Sequence, residues 1–335
     1  MSTAQKIKVY LLLGVANAVY GVDCLKDIPD RLAHAGFRIS VYAVLATFAV
    51  SAILVEATGG ELGVASVFGS QNVLGAAVSK KESPRLVVKQ AIPQVTSKAL
   101  YAVDVKSGKV LVAVNEDEKQ PPASTTKLMT ALVAMDLYRL EDTVQVPAGC
   151  KNTGSQEVNL YPGESLTVHN LLYALLISSA GDAACTLAGG KVDIADFVAK
   201  MNEKAAALGM TTSHFSNPIG LDGPNGDHVS TARDLFVLAK VVATDPFLKK
   251  VVNTKEYLIA NDVTAHRLTN TNDLLWNLPG SVGIKTGRTY AAGEVLAYEY
   301  ADDAKDIIIV VMGSNDRFTD TKAILQWILD SYTWE

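Results

Sequence analysis

Residues 121–130 read PPASTTKLMT, two prolines followed by a serine, a lysine three positions later and the start of an apolar run. A proline favours an extended conformation in the residue before it, so the chain is expected to enter this stretch extended. Apolar residues then recur at helical spacing, at Leu128, Ala131, Leu132 and Met135. The pattern predicts that a helix begins here, with Ser124 and Lys127 in its first turn.

Ser124 and Lys127 are a candidate catalytic pair. Residues three apart lie on one face of a helix, so the hydroxyl and the amine are expected within hydrogen-bond reach. A serine hydroxyl becomes a good nucleophile when a base removes its proton, and burial can lower the pKa of a lysine enough for it to be that base. The alternative makes Ser124 an N-cap and Lys127 a solvated side chain, and a lone S-x-x-K pattern does not choose between the two.

Charge and cysteine content exclude several classes of function. The chain has 335 residues and a net charge of -5 without a basic block, which argues against a nucleic-acid partner. Cys and His residues do not recur at metal-ligand spacing, and we expect no cofactor and no metal. Of the three cysteines, Cys150 and Cys185 fall in the predicted folded domain. They can pair in an oxidising compartment, but two free thiols are the expected state.

The N-terminal segment differs from the rest of the chain. Residues 39–55, ISVYAVLATFAVSAILV, are uncharged and reach the lower edge of the ~17–25 residues needed to cross a bilayer. Arg31 and Arg38 precede them, which predicts a transmembrane signal anchor with residues 1–38 cytoplasmic or interfacial and the later chain outside. A cleaved signal peptide, or a second crossing by an earlier apolar run, is the alternative.

The remaining chain divides into a linker and a folded domain. Residues 56–95 are rich in Gly, Ala, Ser and Val and predict a linker, and residues 96–335 form the domain. The domain begins with a predicted β-hairpin, continues through helical patterns that include a helix capped by Ser230 or Thr231, and ends with strands and an amphipathic helix. This order predicts an α+β fold, with an antiparallel sheet built from both ends of the domain and an inserted helical subdomain.

Two further short patterns carry chemistry. Lys285, Thr286 and Gly287 begin a predicted strand, where a cation and a hydroxyl can bind a carboxylate and glycine admits a neighbouring backbone. The strand edge also offers N–H groups to an extended peptide. Residues 178–182, SSAGD, predict a turn that can aim Ser179 at the S-x-x-K pair. Either pattern alone is weak evidence.

In this order, S-x-x-K, an S-x-N-like turn and K-T-G are the signature of penicillin-binding proteins and serine β-lactamases. The chain resembles the low-molecular-weight D-alanyl-D-alanine carboxypeptidases, serine peptidases that bind penicillin. The resemblance covers about Ala99 to Tyr332 and is carried by PPASTTKLMTAL, GESLTVHNLLYALLISSAGDAA, FSNPIGLDG, HVSTARDLFVLA, TNTNDLLW, GIKTGRTYAAGEVLA and VVMGSNDRFTDTKAIL. It implies a β-lactamase/transpeptidase-like α/β sandwich and makes residues 96–335 a serine D,D-peptidase catalytic domain.

The resemblance also implies roles for single residues. Ser124 is the nucleophile that forms the acyl-enzyme, Lys127 is the general base, and Ser179 relays a proton to the leaving amine. The backbone N–H groups of Ser124 and Arg288 form the oxyanion hole. The terminal carboxylate of the substrate is held at the K-T-G strand, helped by an arginine near the last helix. The implied substrate-binding positions are Lys285, Thr286, Gly287, Arg288 and Arg317.

One position departs from the family pattern. The asparagine of S-x-N falls at Gly181, so the side-chain amide that orients the substrate and the lysine is missing, which puts full activity and ordinary β-lactam affinity in question. The implied function is removal of the terminal D-alanine from peptidoglycan stem peptides on the outer side of the membrane, with β-lactams as inhibitors. A D,D-endopeptidase, a β-lactamase and a catalytically weak wall-binding homologue are the alternatives.

Overall fold

The computed structural model describes residues 83–334 except 89, 224 and 261–263. The predicted segment 1–38 and the predicted anchor 39–55 lie outside the described residues, as does most of the predicted linker 56–95. Within the described part of the chain, every helix is too short or too polar to cross a bilayer.

The centre of the domain is a five-stranded antiparallel sheet. The strands of the domain, in chain order, are β1 (Arg85–Leu86), β2 (Ala99–Asp104), β3 (Val110–Val114), β4 (Thr143–Gln145), β5 (Ser165–Thr167), β6 (Glu256–Ala260), β7 (Ala265–Thr269), β8 (Ser281–Thr289), β9 (Gly293–Ala301), β10 (Asp306–Ser314) and β11 (Tyr332–Thr333). The central sheet has the order β3-β2-β10-β9-β8. Because β2 and β3 come from the start of the domain and β8 to β10 from its end, the predicted α+β fold and its assembly from both ends are confirmed.

Strand β1 lies inside the range predicted as a linker. It pairs with β11 antiparallel, with Arg85 opposite Thr333 and Leu86 opposite Tyr332. The backbone N–H of Val87 then donates to the Ser331 carbonyl at 2.8 Å. Part of the range predicted as a linker is therefore a strand, because the last residues of the domain offer a partner edge that no local sequence pattern reveals.

Helices cover both faces of the central sheet. They are α1 (Thr126–Leu137), α2 (Val168–Ile177), α3 (Gly181–Gly189), α4 (Ile194–Ala207), α5 (Ala232–Thr244), α6 (Pro246–Asn253), α7 (Leu274–Asn277) and α8 (Arg317–Ser331). All but α8 lie between β3 and β8 in sequence, as the predicted inserted region requires. At the predicted cap of α5, the Thr231 side chain accepts the N–H of Asp234 at 3.1 Å, so Thr231 is the N-cap.

Strand β10 shows how the two cores are divided. Its apolar residues alternate between the faces of the sheet, as the twofold period of a strand requires. Ile308, Val310 and Met312 join the core under the inserted helices. Ile307, Ile309 and Val311 join the second core, together with Ile324, Leu325 and Ile328 of α8. A strand buried on both faces reads as an unbroken apolar run, here IIIVVM.

Cys150 and Cys185 form a disulfide, so the expectation of two free thiols is wrong. Cys150 ends the 3₁₀ turn Ala148–Cys150, and Cys185 lies in α3. Their Cα atoms are 5.4 Å apart although 35 positions separate them in sequence. Both side chains are buried. The contact depends on how the chain returns to α3, which spacing alone does not reveal.

Candidate active site

The Ser124 hydroxyl and the Lys127 amine meet at the start of α1. Ser124 lies in the 3₁₀ turn Ala123–Thr125, which directly precedes the helix, and Lys127 lies in the first helical turn. Lys127 Nζ donates to Ser124 Oγ at 3.0 Å and to the Ile219 carbonyl at 2.6 Å. The spacing therefore produces the hydrogen bond that it predicts, and the alternative of a solvated lysine is wrong because the side chain is completely buried.

Burial changes the acid–base chemistry of Lys127. Loss of hydration disfavours the charged amine and lowers its pKa to about 7, while the negative charge of Asp182 acts in the opposite direction. A lysine with this pKa is about half neutral at neutral pH. It can therefore accept a proton from Ser124 without first losing one to a stronger base.

Two glycines let backbone segments close around Ser124. Ala123 has a φ of 48°, a strained value for a residue with a side chain. A Cβ on Gly220 would lie 2.1 Å from the Ala123 carbonyl oxygen, and one on Gly287 would lie 2.9 Å from the Ser124 nitrogen. The close approach expected at Gly287 is thus present, and the turn that carries Ser124 is enclosed by main chain.

Asn217 fixes the carbonyl that receives the lysine. Its Oδ1 accepts the backbone N–H groups of Ile219, Gly220 and Leu221 at 3.1, 2.7 and 3.1 Å. This clamp fixes the shape of the 217–221 loop, whose Ile219 carbonyl receives the Lys127 amine. A role for Asn217 was not predicted from the sequence, although an Asn-Pro pair is a recognised turn signal that could have found it.

His228 supports the first turn of α1 as a neutral residue. Its Nδ1 accepts the Ser216 N–H at 3.0 Å, so the proton is on Nε2, which donates to Thr126 Oγ1 at 2.8 Å. Burial is the main cause that lowers the His228 pKa to about 4. The imidazole therefore positions the helix and does not compete with Lys127 as a base.

Strand β8 brings the buried amine of Lys285 to the site, and the start of α8 brings the guanidinium of Arg317. Lys285 is buried, and its Nζ donates to the Thr286 carbonyl at 3.1 Å. Burial, followed by the charges of Lys127 and Arg317, holds the Lys285 pKa well below its usual range. Burial also lowers the Arg317 pKa. Arg317 Nη1 donates to the Gly287 carbonyl at 3.2 Å.

The remaining predicted positions lie around the same cleft. Thr286 Oγ1 and Thr271 Oγ1 are 2.5 Å apart and share a hydrogen bond. Arg288 lies on β8 and lines the cleft, and its side chain is exposed. Ser179 is buried with a φ of 58°, and among the described residues its hydroxyl has no hydrogen-bond partner.

One cleft of about 550 Å³ brings these groups together. Its lining includes Ser124, Ser179, Thr286, Gly287, Arg288 and Arg317, with Lys127 and Lys285 buried behind them. Within the described residues, His, Cys, Asp and Glu side chains form no cluster able to hold a metal ion. An activated hydroxyl beside the guanidinium of Arg317 is suited to nucleophilic attack on a substrate with a terminal carboxylate.

Comparison with known sequences gives one family. The profile described as D-alanyl-D-alanine carboxypeptidase matches residues 86–316. A D-alanyl-D-alanine carboxypeptidase of Mycobacterium tuberculosis is 37% identical over 224 residues, covering 66% of this chain and 76% of that protein. One of Bacillus subtilis is 33% identical over 228 residues, covering 65% of this chain and 58% of that protein. One of Escherichia coli is 33% identical over 251 residues, covering 70% and 62%.

Solved structures of similar proteins have the same fold. A D-alanyl-D-alanine carboxypeptidase of Mycobacterium tuberculosis superposes with a TM-score of 0.68 at 32% identity, covering 73% of this chain and 96% of that chain. The Streptomyces K15 DD-transpeptidase superposes with a TM-score of 0.68 at 28% identity, covering 72% of this chain and 100% of that chain.

Proposed function

Since the chain belongs to the D-alanyl-D-alanine carboxypeptidase family, we propose that its described domain removes the terminal D-alanine from peptidoglycan stem peptides and binds β-lactams. The reaction proceeds through an acyl-enzyme on Ser124. The observation that carries the proposal is the hydrogen bond of 3.0 Å between Lys127 Nζ and Ser124 Oγ, at a cleft that β8 also lines.

Acylation begins when neutral Lys127 takes the proton of the Ser124 hydroxyl. The oxygen then bonds to the carbonyl carbon between the two D-alanines, and negative charge develops on the carbonyl oxygen. The backbone N–H groups of Ser124 and Arg288 are the proposed donors to that oxygen, and removal of one such donor costs roughly 2.7–4 kcal/mol in a comparable hydrolase. Gly287 leaves the Ser124 N–H open to the cleft because it has no side chain.

The peptide C–N bond breaks when the leaving nitrogen gains a proton. We propose that Ser179 passes this proton from Lys127 to the leaving nitrogen. The proposal is supported because the Ser179 hydroxyl lines the cleft and has no hydrogen-bond partner within the described residues. D-Alanine then leaves. Water attacks the Ser124 ester with neutral Lys127 again as base, releases the shortened peptide and restores the hydroxyl.

The terminal carboxylate of the substrate is the proposed anchor at β8. Thr286 offers a hydroxyl on the cleft wall, and Arg317 offers a guanidinium that is already oriented by the Gly287 carbonyl. The Lys285 amine is buried on the same strand. A charged group held by fixed donors binds in one orientation, which places the penultimate carbonyl at Ser124.

Two substrates test this proposal. The purified domain is incubated with a fluorescent penicillin and, separately, with a diacylated Lys-D-Ala-D-Ala peptide. We expect covalent labelling and release of D-alanine, and Ser124→Ala should lose both. Labelling or release that survives Ser124→Ala would show that the nucleophile is wrong, and rapid hydrolysis of the penicillin without D-alanine release would identify a β-lactamase.

The location of the domain is part of the same proposal. We propose that residues 39–55 anchor the chain in the membrane with residues 96–335 outside the cytoplasm. The disulfide between Cys150 and Cys185 supports an oxidising compartment for the domain. Fractionation of cells that express the full chain should recover it with membranes, and deletion of 39–55 should abolish this. Membrane recovery that is unchanged by the deletion would contradict the anchor.

A further inference from the structure

The space beside Gly181 is already filled by another part of the chain. Gly181 begins α3, and a Cβ built on it would lie 2.5 Å from Thr153 Oγ1 and 2.9 Å from the Ser155 Cβ. Its backbone N–H donates to the Gln156 carbonyl at 2.6 Å. Residues 151–160, here called the 151–160 loop, therefore pass where a side chain at position 181 would stand.

The ends of this loop are fixed to α3. Before it, the disulfide joins Cys150 to Cys185. Near its end, the Asp182 carboxylate accepts the backbone N–H groups of Val158 at 3.2 Å and Leu160 at 3.0 Å. The loop and the helix that begins at position 181 thus form one unit with three links, which are the disulfide, the main-chain hydrogen bond and the carboxylate.

The middle of the loop is held by its own side chains. The Glu157 carboxylate accepts the Thr153 backbone N–H at 2.5 Å and the Thr153 hydroxyl at 2.8 Å. This closes the turn that contains Gly154 and Ser155. The turn lines the cleft. Because Glu157 already holds it, its backbone is preorganised before any ligand binds.

Gln156 is the residue of this loop that offers an amide to the cleft. It lines the cleft with Ser124 and Ser179. Its side chain is exposed, and within the described residues it makes no hydrogen bond. A glutamine amide carries two donors and one acceptor, which match the C=O and N–H of a peptide unit. The fixed backbone and the free amide together make a binding element for an extended peptide.

We propose that Gln156 binds the peptide backbone of the substrate next to the scissile bond, and that it supplies from the 151–160 loop the amide that position 181 lacks. This inference rests on the proposed function, because it names a substrate contact in the same cleft. Glycine is then required at position 181 because the 151–160 loop occupies the space of a side chain there, and its presence does not indicate a loss of activity.

The first test replaces Gln156. Loss of one neutral hydrogen bond to the substrate lowers kcat/KM by about tenfold. Gln156→Ala should therefore lower kcat/KM for the diacylated Lys-D-Ala-D-Ala peptide by about this factor. Gln156→Glu, which keeps the shape but loses the donors, should lose as much. Gln156→Asn, which keeps the amide, should retain more activity than either. The control is Lys151→Ala, an exposed position in the same loop outside the cleft lining, which should leave kcat/KM unchanged.

The second test restores the amide to its family position. Gly181→Asn should lower kcat/KM by about tenfold or more, because the new side chain must displace Thr153 and the loop that presents Gln156. Thermal unfolding of each variant separates this effect from a failure to fold. A gain of activity in Gly181→Asn, or an equal kcat/KM in wild type and all three Gln156 variants, would overturn the inference.

A failure of this inference is distinguishable from a failure of the proposed function. If the wild-type domain releases D-alanine through Ser124 while the Gln156 variants match it, only the role of Gln156 is wrong. If the wild-type domain releases no D-alanine, the function itself fails and the inference falls with it.

Discussion

The acid limb of the pH–rate profile should report the ionisation of Lys127. With a pKa of about 7, the neutral base is half populated near neutral pH, and each unit below this lowers its fraction about tenfold. At pH 5 about 1% of the plateau kcat/KM should remain. If Lys127 were exposed and hydrated, its pKa would be the ordinary value of about 10.5, and the acid limb would have its midpoint near that pH.

The assay follows kcat/KM for D-alanine release from diacylated Lys-D-Ala-D-Ala between pH 5 and pH 9. The rate of acylation by a fluorescent penicillin is measured over the same range. Both reactions need the same base to activate Ser124, so their acid limbs should coincide. A midpoint more than about one pH unit away from 7, or two limbs that differ, would refute the assignment of Lys127 as the base.

Asp182→Asn provides a directional control. The Asp182 charge raises the Lys127 pKa, so its removal should move the acid limb to lower pH. The asparagine oxygen can still accept a backbone N–H from the 151–160 loop, and the position of the limb does not depend on how much enzyme is correctly folded. A limb that moves to higher pH would contradict the electrostatic contact between the two residues.

The same ionisation predicts a pH dependence of stability. Lys127 has a lower pKa in the folded chain than in the unfolded chain, so between about pH 7 and 10.5 the unfolded state binds more protons and stability rises with pH. Below this window the full cost of about 5 kcal/mol is present. Lys127→Met removes this cost, so the difference in unfolding free energy between variant and wild type should increase by about 3–4 kcal/mol as pH falls from 10 to 7. A difference that stays constant with pH would refute the reasoning.

Three further outcomes are expected. Gly287→Ala should lower the rate of penicillin acylation by about a hundredfold or more, because its Cβ would stand 2.9 Å from the Ser124 nitrogen and obstruct an oxyanion donor; a rate within about twofold of wild type would contradict this. Replacing both Cys150 and Cys185 by serine should lower the unfolding free energy in urea by about 4 kcal/mol, given the 35-residue separation; an unchanged midpoint would show that the disulfide is not a main constraint. Arg317→Leu should raise KM for the peptide by about tenfold to a hundredfold through loss of a charged donor to its carboxylate, and steady-state kinetics with an unchanged KM would exclude that contact.

The features that the sequence predicted correctly depend on local periodicity. The helix after Ser124, the approach of Lys127 to it and the N-cap at Thr231 each depend on residues within about one helical turn of one another. The sheet built from both ends of the domain was also predicted, because strand patterns occur at both ends of the domain with helical patterns between them. Such local preferences are retained in the folded domain because the tertiary contacts of these segments favour the same conformation.

The features that the sequence did not predict depend on contacts between distant segments. The disulfide joins residues 35 apart. The clamp at Asn217 acts on Lys127 only through the Ile219 carbonyl. The hairpin of β6 and β7 was missed because its strands are short, and because β6 exposes Leu258 while β7 buries His266, so buried positions do not coincide with apolar residues. Local propensity cannot reveal which strand edge or loop will find which partner.

Glycine at position 181 has the same structural meaning as the glycines at 220 and 287. At each of the three, an added Cβ would come within 3 Å of an atom from a different segment of the chain. At 220 and 287 backbone atoms are among the nearest atoms, and at 181 the nearest are side-chain atoms of Thr153 and Ser155. The cleft is therefore built by close approach of chain segments. Where a position on the cleft has no side chain, a neighbouring segment can occupy the space, as Thr153 and Ser155 do beside Gly181. For this reason a missing motif residue is a weak argument against activity when the space that it left is filled by a rigid, polar loop such as residues 151–160.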